Sequence, residues 1–201
     1  MNDLMCFRHC SVDKSIFYLA TRPISSSSVC PLCKRALRES HFIVPPFRIA
    51  SPLTKNAVGI PHSLTIKPSS KSFVDYCHGD DLHVGVSDSR GRIHHYDEFG
   101  LHCDSNPETT FWTDCLLIQN KISQLTNIEE CIQSDEWTQA RYEPDTLNCY
   151  DFVVSVVNES EKSRVWTKEN FCREILLPHT SRVGKFLLIF RRALNDILAV
   201  V

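Results

Sequence analysis

Hydrophobic and polar positions alternate with a period of two residues in the middle of the chain. Residues 62–67 and 82–87 each show this alternation, which is typical of strands that bury one face. The turn at residues 88–91 leads into a third strand at 92–96, and residues 111–118 give a fourth. The pattern therefore predicts an antiparallel sheet that begins near residue 61.

The remainder of the chain shows the wider spacing of amphipathic helices. One face of residues 148–159 carries five small or apolar side chains, namely Cys149, Phe152, Val153, Val156 and Val157. Further helices are predicted at 121–134, at 168–177, where Pro178 ends the helix, and from residue 180 or 181 toward 198. Strands followed by helices predict an α+β fold in which the sheet packs against the helices.

Four prolines mark a boundary within the chain. Pro45, Pro46, Pro52 and Pro61 fall in a stretch with few periodic apolar positions, which predicts a linker or an extended crossing segment. We therefore divide the chain into a small module at residues 1–44, a proline-rich linker at 45–60 and an α+β domain at 61–201.

The small module is rich in cysteine and poor in core residues, so its fold needs additional stabilisation, such as a bound metal ion. Cys30 and Cys33 form a C-x-x-C turn, which supplies two thiolates to a tetrahedral zinc ion. Cys10 is a third ligand, and Cys6 and His9 compete for the fourth position. With a hairpin between the two halves, the sequence predicts a zinc-ribbon-like module that holds a structural Zn²⁺.

Composition and charge argue against several classes of protein, namely nucleic-acid-binding, membrane-bound and secreted proteins. The 201 residues are 42% hydrophobic and 23% charged, with a net charge of −2, which implies no broad attraction to nucleic acid or anionic membranes. The apolar run at residues 186–190 is far shorter than the ~20 residues of a membrane span. The sequence opens without a secretory pattern, so its ten cysteines are expected to be reduced in an intracellular protein, cytoplasmic and/or nuclear.

Cys149 is the strongest candidate for chemistry because it follows a capping residue, Asn148, at a helix start. Helix amide groups lower the pKa of a thiol there and favour the nucleophilic thiolate. A base is needed beside it, and His83 on the predicted strand at 82–87 supplies an imidazole. Gly85 shares the face of His83 and leaves room for the helix start to approach. The backbone N–H of Cys149 would then donate to an oxyanion.

The predicted hairpin decides which residue orients His83. A three-residue loop makes His83 oppose Asp97, so that His95 and Asp97 share the face of His83. A loop of two or four residues would bring His94 to that face instead. We predict that His95 fixes the imidazole tautomer and completes a catalytic set with Cys149 and His83.

Three segments within residues 80–158 resemble the circularly permuted papain-like superfamily, which includes the lecithin–retinol acyltransferase-like proteins, the PPPDE peptidases and the NlpC-type hydrolases. The segments are His83-Val84-Gly85-Val86, Ile93-His94-His95 and Asn148-Cys149-x-x-Phe152-Val153. The resemblance implies a permuted papain-like α+β domain. In the acyltransferase branch a second histidine follows the first by twelve residues, and His95 holds that position here.

Nearly the whole chain is also similar to the makorin-two opposite-strand protein family. The matching segments are Phe7-Arg8-His9-Cys10, Cys30-Pro31-x-Cys33, Asp81-Leu82-His83-Val84-Gly85, Gly91, Tyr142-Glu143 and Asn148-Cys149. This resemblance favours His9 over Cys6 as the ligand that joins Cys10, Cys30 and Cys33. It implies no particular reaction.

Two functions of different classes fit these features. The first is a cysteine-dependent hydrolase or acyltransferase that works through a thioester, with a protein or a soluble amide as substrate because no membrane anchor is visible. The second is a non-catalytic, zinc-containing adaptor that binds a protein partner and uses the papain-like domain as a scaffold. Nucleic-acid binding is the weakest expectation, since the basic residues within 1–40 have few aromatic residues between them.

Overall fold

A computed structural model describes residues 1–25, 27–38, 42–77, 79–119, 128–160 and 164–201. The chain forms two compact units, the first made of Met1–Pro52 with Arg182–Val201 and the second of Leu53–Ser181. Both units contain antiparallel sheet and helix, which confirms the α+β class. The end of the chain joins the amino-terminal segment, a pairing that the hydrophobic pattern does not reveal.

The first unit is built on a four-stranded sheet with the strand order β10-β2-β1-β3. Its strands are β1 (Leu4–Arg8), β2 (Ile16–Leu19), β3 (Val44–Ile49) and β10 (Ala199–Val200). Strand β2 lies between the two cysteine-containing halves of the small module and pairs antiparallel with β1. Phe7, Ile16 and Tyr18 form the buried core of this unit together with Cys30 and Leu37.

Strand β3 shows how the proline-rich segment folds. Pro45 and Pro46 lie within β3, which is the edge strand beside β1. An edge position tolerates proline because one side of the strand needs no N–H donor. Residues 45–60, predicted as a linker or an extended crossing segment, are extended here and contain a second short strand, β4 (Leu53–Asn56).

The second unit is built on a six-stranded sheet with the order β4-β9-β5-β6-β7-β8, in which neighbouring strands run antiparallel. Beyond β4 its strands are β5 (Leu64–Pro68), β6 (Leu82–Ser87), β7 (Ile93–Asp97), β8 (Gly100–Asp104) and β9 (Thr113–Ile118). The alternating pattern predicts β5, β6, β7 and β9 with small shifts at their ends. Strands β4 and β8 are short and give no such signal.

The hairpin between β6 and β7 has the predicted register. Val86 pairs with His94, and the backbone N–H of Asp88 donates to the carbonyl of Arg92 at 3.0 Å, which closes a three-residue loop. Gly91 takes the left-handed position of that loop with φ +75°. The loop length therefore fixes which side chains of β7 share the face of His83.

The helices of the described residues are α1 (Ile128–Ile132), α2 (Cys149–Ser160), α3 (Lys168–Phe171) and α4 (Leu177–Asn195), with a 3₁₀ turn at Gln139–Arg141. Helix α2 confirms the helix predicted at 148–159. Residues 121–127 of the helix predicted at 121–134 lie outside the described residues, and the rest of it gives α1. Among these helices none is long and apolar enough to cross a membrane.

Pro178 does not end a helix, so that prediction is wrong. It is the second residue of α4, which continues the preceding helical segments without a break. A π-helical segment, Cys172–Leu176, lies directly before α4. The wider π turn gives the proline ring room that a regular helix would deny it.

Candidate active site and metal cluster

The first unit brings a set of metal-ligating side chains together. His9, Cys30 and Cys33 each place a ligand atom within 4.8 Å of the others, and the Cys33 sulfur lies 3.3 Å from Nδ1 of His9. The pKa of Cys33 is lowered, first by the backbone N–H of Arg35 and also by the Cys30 and Cys10 thiols. This cluster, with Cys10 beside it, can bind a metal ion.

Strand parity explains why Cys6 is not in the cluster. Along β1, Met5 and Phe7 face the core that contains Cys30, and His9 continues the same alternation. Cys6 points to the opposite face of the sheet, where burial raises the pKa of its thiol. Among the described residues, His9 and not Cys6 therefore lies with Cys30 and Cys33.

The start of α2 is capped as the sequence predicts. The side-chain oxygen of Asn148 accepts a hydrogen bond from the backbone N–H of Tyr150 at 3.0 Å, and the Asp151 carboxylate accepts from the N–H of Asn148 at 2.9 Å. This is a reciprocal capping box, which an ion pair between Asp151 and Lys168 at 2.8 Å extends. Cys149 is therefore fixed as the first residue of the helix.

The Cys149 thiol is buried, with 6% of the residue exposed. Burial raises its pKa to about 11, while the backbone N–H groups of Val84, Tyr150 and Cys149 itself oppose the rise. The expectation that the helix start lowers this pKa is therefore wrong for the structure as it stands. Desolvation of the thiolate outweighs the helix amides, so Cys149 rests as a neutral thiol.

His83 and His95 form the hydrogen-bonded pair that the hairpin register predicts. Nε2 of His83 lies 2.9 Å from Nδ1 of His95, and the two rings meet edge to face. His94 lies on the opposite face of β7, where its Nε2 is 3.2 Å from the Asp88 carboxylate. The alternative in which His94 orients His83 is thereby removed.

Helix α2 packs on the face of the sheet opposite to the His83 ring. The Phe152 ring lies 5.2 Å from Trp137, which in turn lies 5.3 Å from Tyr96. Tyr96 alternates with His95 along β7, so the two point to opposite faces. In the described part of the chain no hydrogen bond joins Cys149 to His83. The sulfur meets the strand instead at the N–H of Val84, the residue after His83.

The space beside Gly85 is filled by a tryptophan and not by the helix start, which corrects the sequence prediction. A Cβ atom on Gly85 would lie 3.0 Å from both Trp112 and Ile93. Trp112 is fully buried and stacks on the His83 ring, with 5.7 Å between the ring centres. Gly85 therefore makes room for the ring that supports both imidazoles.

Both imidazoles are neutral in this environment. Burial lowers the pKa of His83 to about 3 and that of His95 to about 4, and each is lowered further by a neighbouring imidazole. The carboxylate of Asp97 opposes these shifts. Asp97 itself accepts a hydrogen bond from Nε2 of His102 at 2.8 Å.

A cleft of about 410 Å³ opens beside His83. Its lining mixes charged, polar and aromatic side chains, namely Lys67, Ser69, His83, Asp97, Glu98, Phe99, Phe111 and Tyr142. His83 therefore has access to a ligand of small-molecule or peptide size, while His95 lies buried behind it.

Comparison with known proteins shows which family the chain belongs to. Residues 46–193 match the family model described as DUF4796 C-terminal. The chain belongs to this family. It is also similar to the human MKRN2 opposite strand protein, with 26% identity over 196 residues that cover 94% of this chain and 84% of that protein. No solved structure gives a significant match.

Three residues of the site in this DUF4796 chain were not predicted from the sequence. Lys67 pairs directly with His83 across β5 and β6, so strand parity alone would have placed it in the site. Trp112 precedes β9. Asp104, whose Oδ2 lies 3.5 Å from Nε2 of His95, ends β8, a strand that gives no periodic signal. Their positions depend on tertiary packing.

Proposed function

We propose that the second unit is a cysteine-dependent hydrolase or acyltransferase with Cys149 as nucleophile, His83 as general base and His95 as the residue that orients His83. One observation carries the proposal, namely that His83 is held by His95 at 2.9 Å directly before the residue whose N–H meets the Cys149 sulfur. A thiol, a base and an orienting group in this order can perform acyl transfer.

The contacts of His95 support one choice of the basic nitrogen of His83. Nε2 of His95 faces the Asp104 carboxylate across 3.5 Å, so the proton of His95 belongs on that nitrogen. Nδ1 of His95 then accepts from Nε2 of His83, which leaves the lone pair of His83 on Nδ1. That nitrogen is the one free to receive the thiol proton.

The proposed reaction transfers the acyl group of the substrate to the Cys149 sulfur and then to water or an acceptor. As the Cys149 sulfur bonds to the substrate carbonyl carbon, its proton moves to Nδ1 of His83 and the carbonyl electrons move to oxygen. Backbone N–H groups at the start of α2 stabilise that oxyanion. The oxyanion electrons re-form the carbonyl and break the bond to the leaving group, which takes the proton from His83. Water or an acceptor nucleophile then attacks the thioester and gives its proton to His83, which passes that proton to the departing sulfur. Because the resting thiol and imidazole are neutral and lie on opposite faces of β6, the end of β6 or the start of α2 must shift before the proton can pass between them.

The permuted papain-like fold and the substrate class are parts of this proposal. The antiparallel sheet, the strand histidine and the thiol at a capped helix start support the fold. A protein or a soluble amide fits the cleft because Lys67, Asp97 and Glu98 line it with charge, which does not suit a lipid chain.

An electrophilic thiol probe tests the nucleophile. We expect Cys149 to react faster than Cys172, a half-buried thiol of the same unit whose pKa burial also raises. The reaction at Cys149 should collapse in His83→Ala while that at Cys172 stays unchanged. Equal rates at the two thiols, measured by site-resolved mass spectrometry of the folded protein, would defeat the proposal.

Burial of the neutral thiol favours a second candidate, the non-catalytic adaptor with a protein partner. A small buried thiol on a helix face contributes packing alone. In that case Cys149→Ala changes stability but no biochemical activity, and the thiol probe finds Cys149 no more reactive than Cys172.

We further propose that the cluster in the first unit holds structural Zn²⁺ through His9, Cys10, Cys30 and Cys33 in an intracellular compartment where thiols stay reduced. Thiolate and imidazole ligands suit a closed tetrahedral zinc site. Purified protein passed over a chelating resin should retain one zinc ion, and Cys33→Ser should lose it and melt at a lower temperature. Cys172→Ser is the matched control, and a zinc content unchanged in Cys33→Ser contradicts the proposal.

A further inference from the structure

Three metal-ligating atoms lie close together at the wall of the cleft beside His83. His83, His95 and Asp97 each place a ligand atom within 4.8 Å of the other two. Nε2 of His83 is 2.9 Å from Nδ1 of His95, and Nδ1 of His95 is 4.0 Å from Oδ2 of Asp97. Two imidazoles and a carboxylate on one face of adjacent strands form the donor set of a transition-metal site.

The spacing of these atoms suits a metal ion. With Zn–N distances of about 2.0–2.1 Å, ligand atoms around a tetrahedral zinc ion are about 3.3 Å apart. The two measured separations, 2.9 and 4.0 Å, lie on either side of that value. Rotation of side chains is therefore enough to close the site, and the strands need not move.

Two of the three ligands have a polar side chain beside them that can orient them toward a metal ion. Nε2 of His95 lies 3.5 Å from Oδ2 of Asp104, and both atoms are buried without a hydrogen-bond partner. A histidine whose distal N–H faces a carboxylate has its other nitrogen free for a metal, and such contacts are usual around metal sites. The other oxygen of Asp97 accepts from His102 at 2.8 Å, which orients the carboxylate ligand in the same way.

The negative charge around the imidazole pair and the open cleft beside it also favour binding of a cation. Asp97 and Asp104 lie beside the imidazole pair, while the one nearby cation among the described residues, Lys67, packs its ammonium on the Phe111 ring at 4.0 Å. The two carboxylates outweigh the single ammonium. His83 and Asp97 line the cleft of about 410 Å³, so a bound ion keeps an open position toward solvent.

We infer that this cleft binds a divalent transition-metal ion of the Zn²⁺ class through His83, His95 and Asp97. The consequence for catalysis rests on the proposed function. A metal on Nε2 of His83 displaces the proton of that nitrogen to Nδ1, so that Nδ1 can no longer accept the thiol proton. The ion is therefore a reversible inhibitor of acyl transfer from Cys149.

Titration of the full chain with Co²⁺ tests the binding. The site in the first unit gives intense thiolate-to-cobalt charge-transfer bands, whereas a site of nitrogen and oxygen ligands gives only weak visible bands. Wild type should bind two ions, and both Asp97→Asn and His95→Gln should weaken the second at least ~10-fold. Glu98→Gln is the matched control, because it removes the same charge from the same cleft without removing a ligand.

Three outcomes overturn the inference. They are a second ion that binds equally well in Asp97→Asn, a second ion lost equally in Glu98→Gln, and a second ion lost in Cys149→Ser. If His95→Gln does not fold, the pair Asp97→Asn and Glu98→Gln decides alone, since neither removes buried core. Inhibition is measured separately, as slower acylation of Cys149 with Zn²⁺ in wild type but not in Asp97→Asn, so metal binding and acyl transfer can fail independently.

Discussion

Replacing His83 with alanine is expected to slow acylation of Cys149 by about 10²–10⁴-fold, the usual contribution of a positioned general base. The thiol has a pKa raised to about 11, so near neutral pH almost none of it is thiolate. Without an acceptor for its proton, attack must rely on that small fraction. Single-turnover acylation by a small activated ester, in buffer with a chelator, measures the change.

Comparison of His83→Gln with His95→Gln separates the base from the orienting residue. Glutamine at residue 83 keeps a hydrogen-bonding group for His95 but accepts no proton, so its loss should match that of alanine. Glutamine at residue 95 leaves the base in place and disturbs only its orientation, so the loss should be smaller. Equal losses in both variants, or no loss in His83→Ala, would contradict the assigned roles.

Replacing Trp112 with alanine is expected to lower the free energy of unfolding by about 3–5 kcal/mol, as for other large aromatic residues removed from a core. Trp112 is fully buried and packs on His83, on His95 and on the backbone at Gly85. The cavity left behind would be lined by these rigid strands, which cannot collapse into it.

Phe111→Ala is the matched control for Trp112→Ala. Phe111 stacks on Trp112 with 5.3 Å between ring centres but is 44% exposed, so much of its surface is already in water. Urea unfolding followed by circular dichroism should give a loss in Trp112→Ala that clearly exceeds the loss in Phe111→Ala. Similar losses would show that Trp112 does not anchor the face that carries the imidazoles.

Strand parity and helix spacing predict much of the candidate site. A loop of three residues between β6 and β7 is enough to pair His83 with His95 and to exclude His94, because a strand repeats every two residues. The capped helix start at Cys149 follows equally from local sequence. These features depend on neighbours along the chain or directly across a hairpin, so a single sequence contains them.

Packing over longer sequence distances limits what the sequence can predict. Whether the thiol at a helix start is activated depends on what covers it, and here burial outweighs the helix amides. The space beside Gly85 could admit a helix or a ring, and only the path of the chain before β9 brings Trp112 into it. The pairing of β10 with β2 joins the two ends of the chain. Strand β10 has only two residues, which are too few to show an alternating pattern.

Site-resolved mass spectrometry of the acyl-enzyme shows whether Cys149 is the nucleophile and His83 its base. Full-length protein is mixed with a small activated ester and digested at short times, and the acyl group is located on each cysteine. We expect an acyl group on Cys149 that forms faster than on Cys172, is released by hydroxylamine as a thioester must be, and nearly disappears in His83→Ala. Acylation of Cys149 that is no faster than that of Cys172, or that is unchanged in His83→Ala, would contradict it.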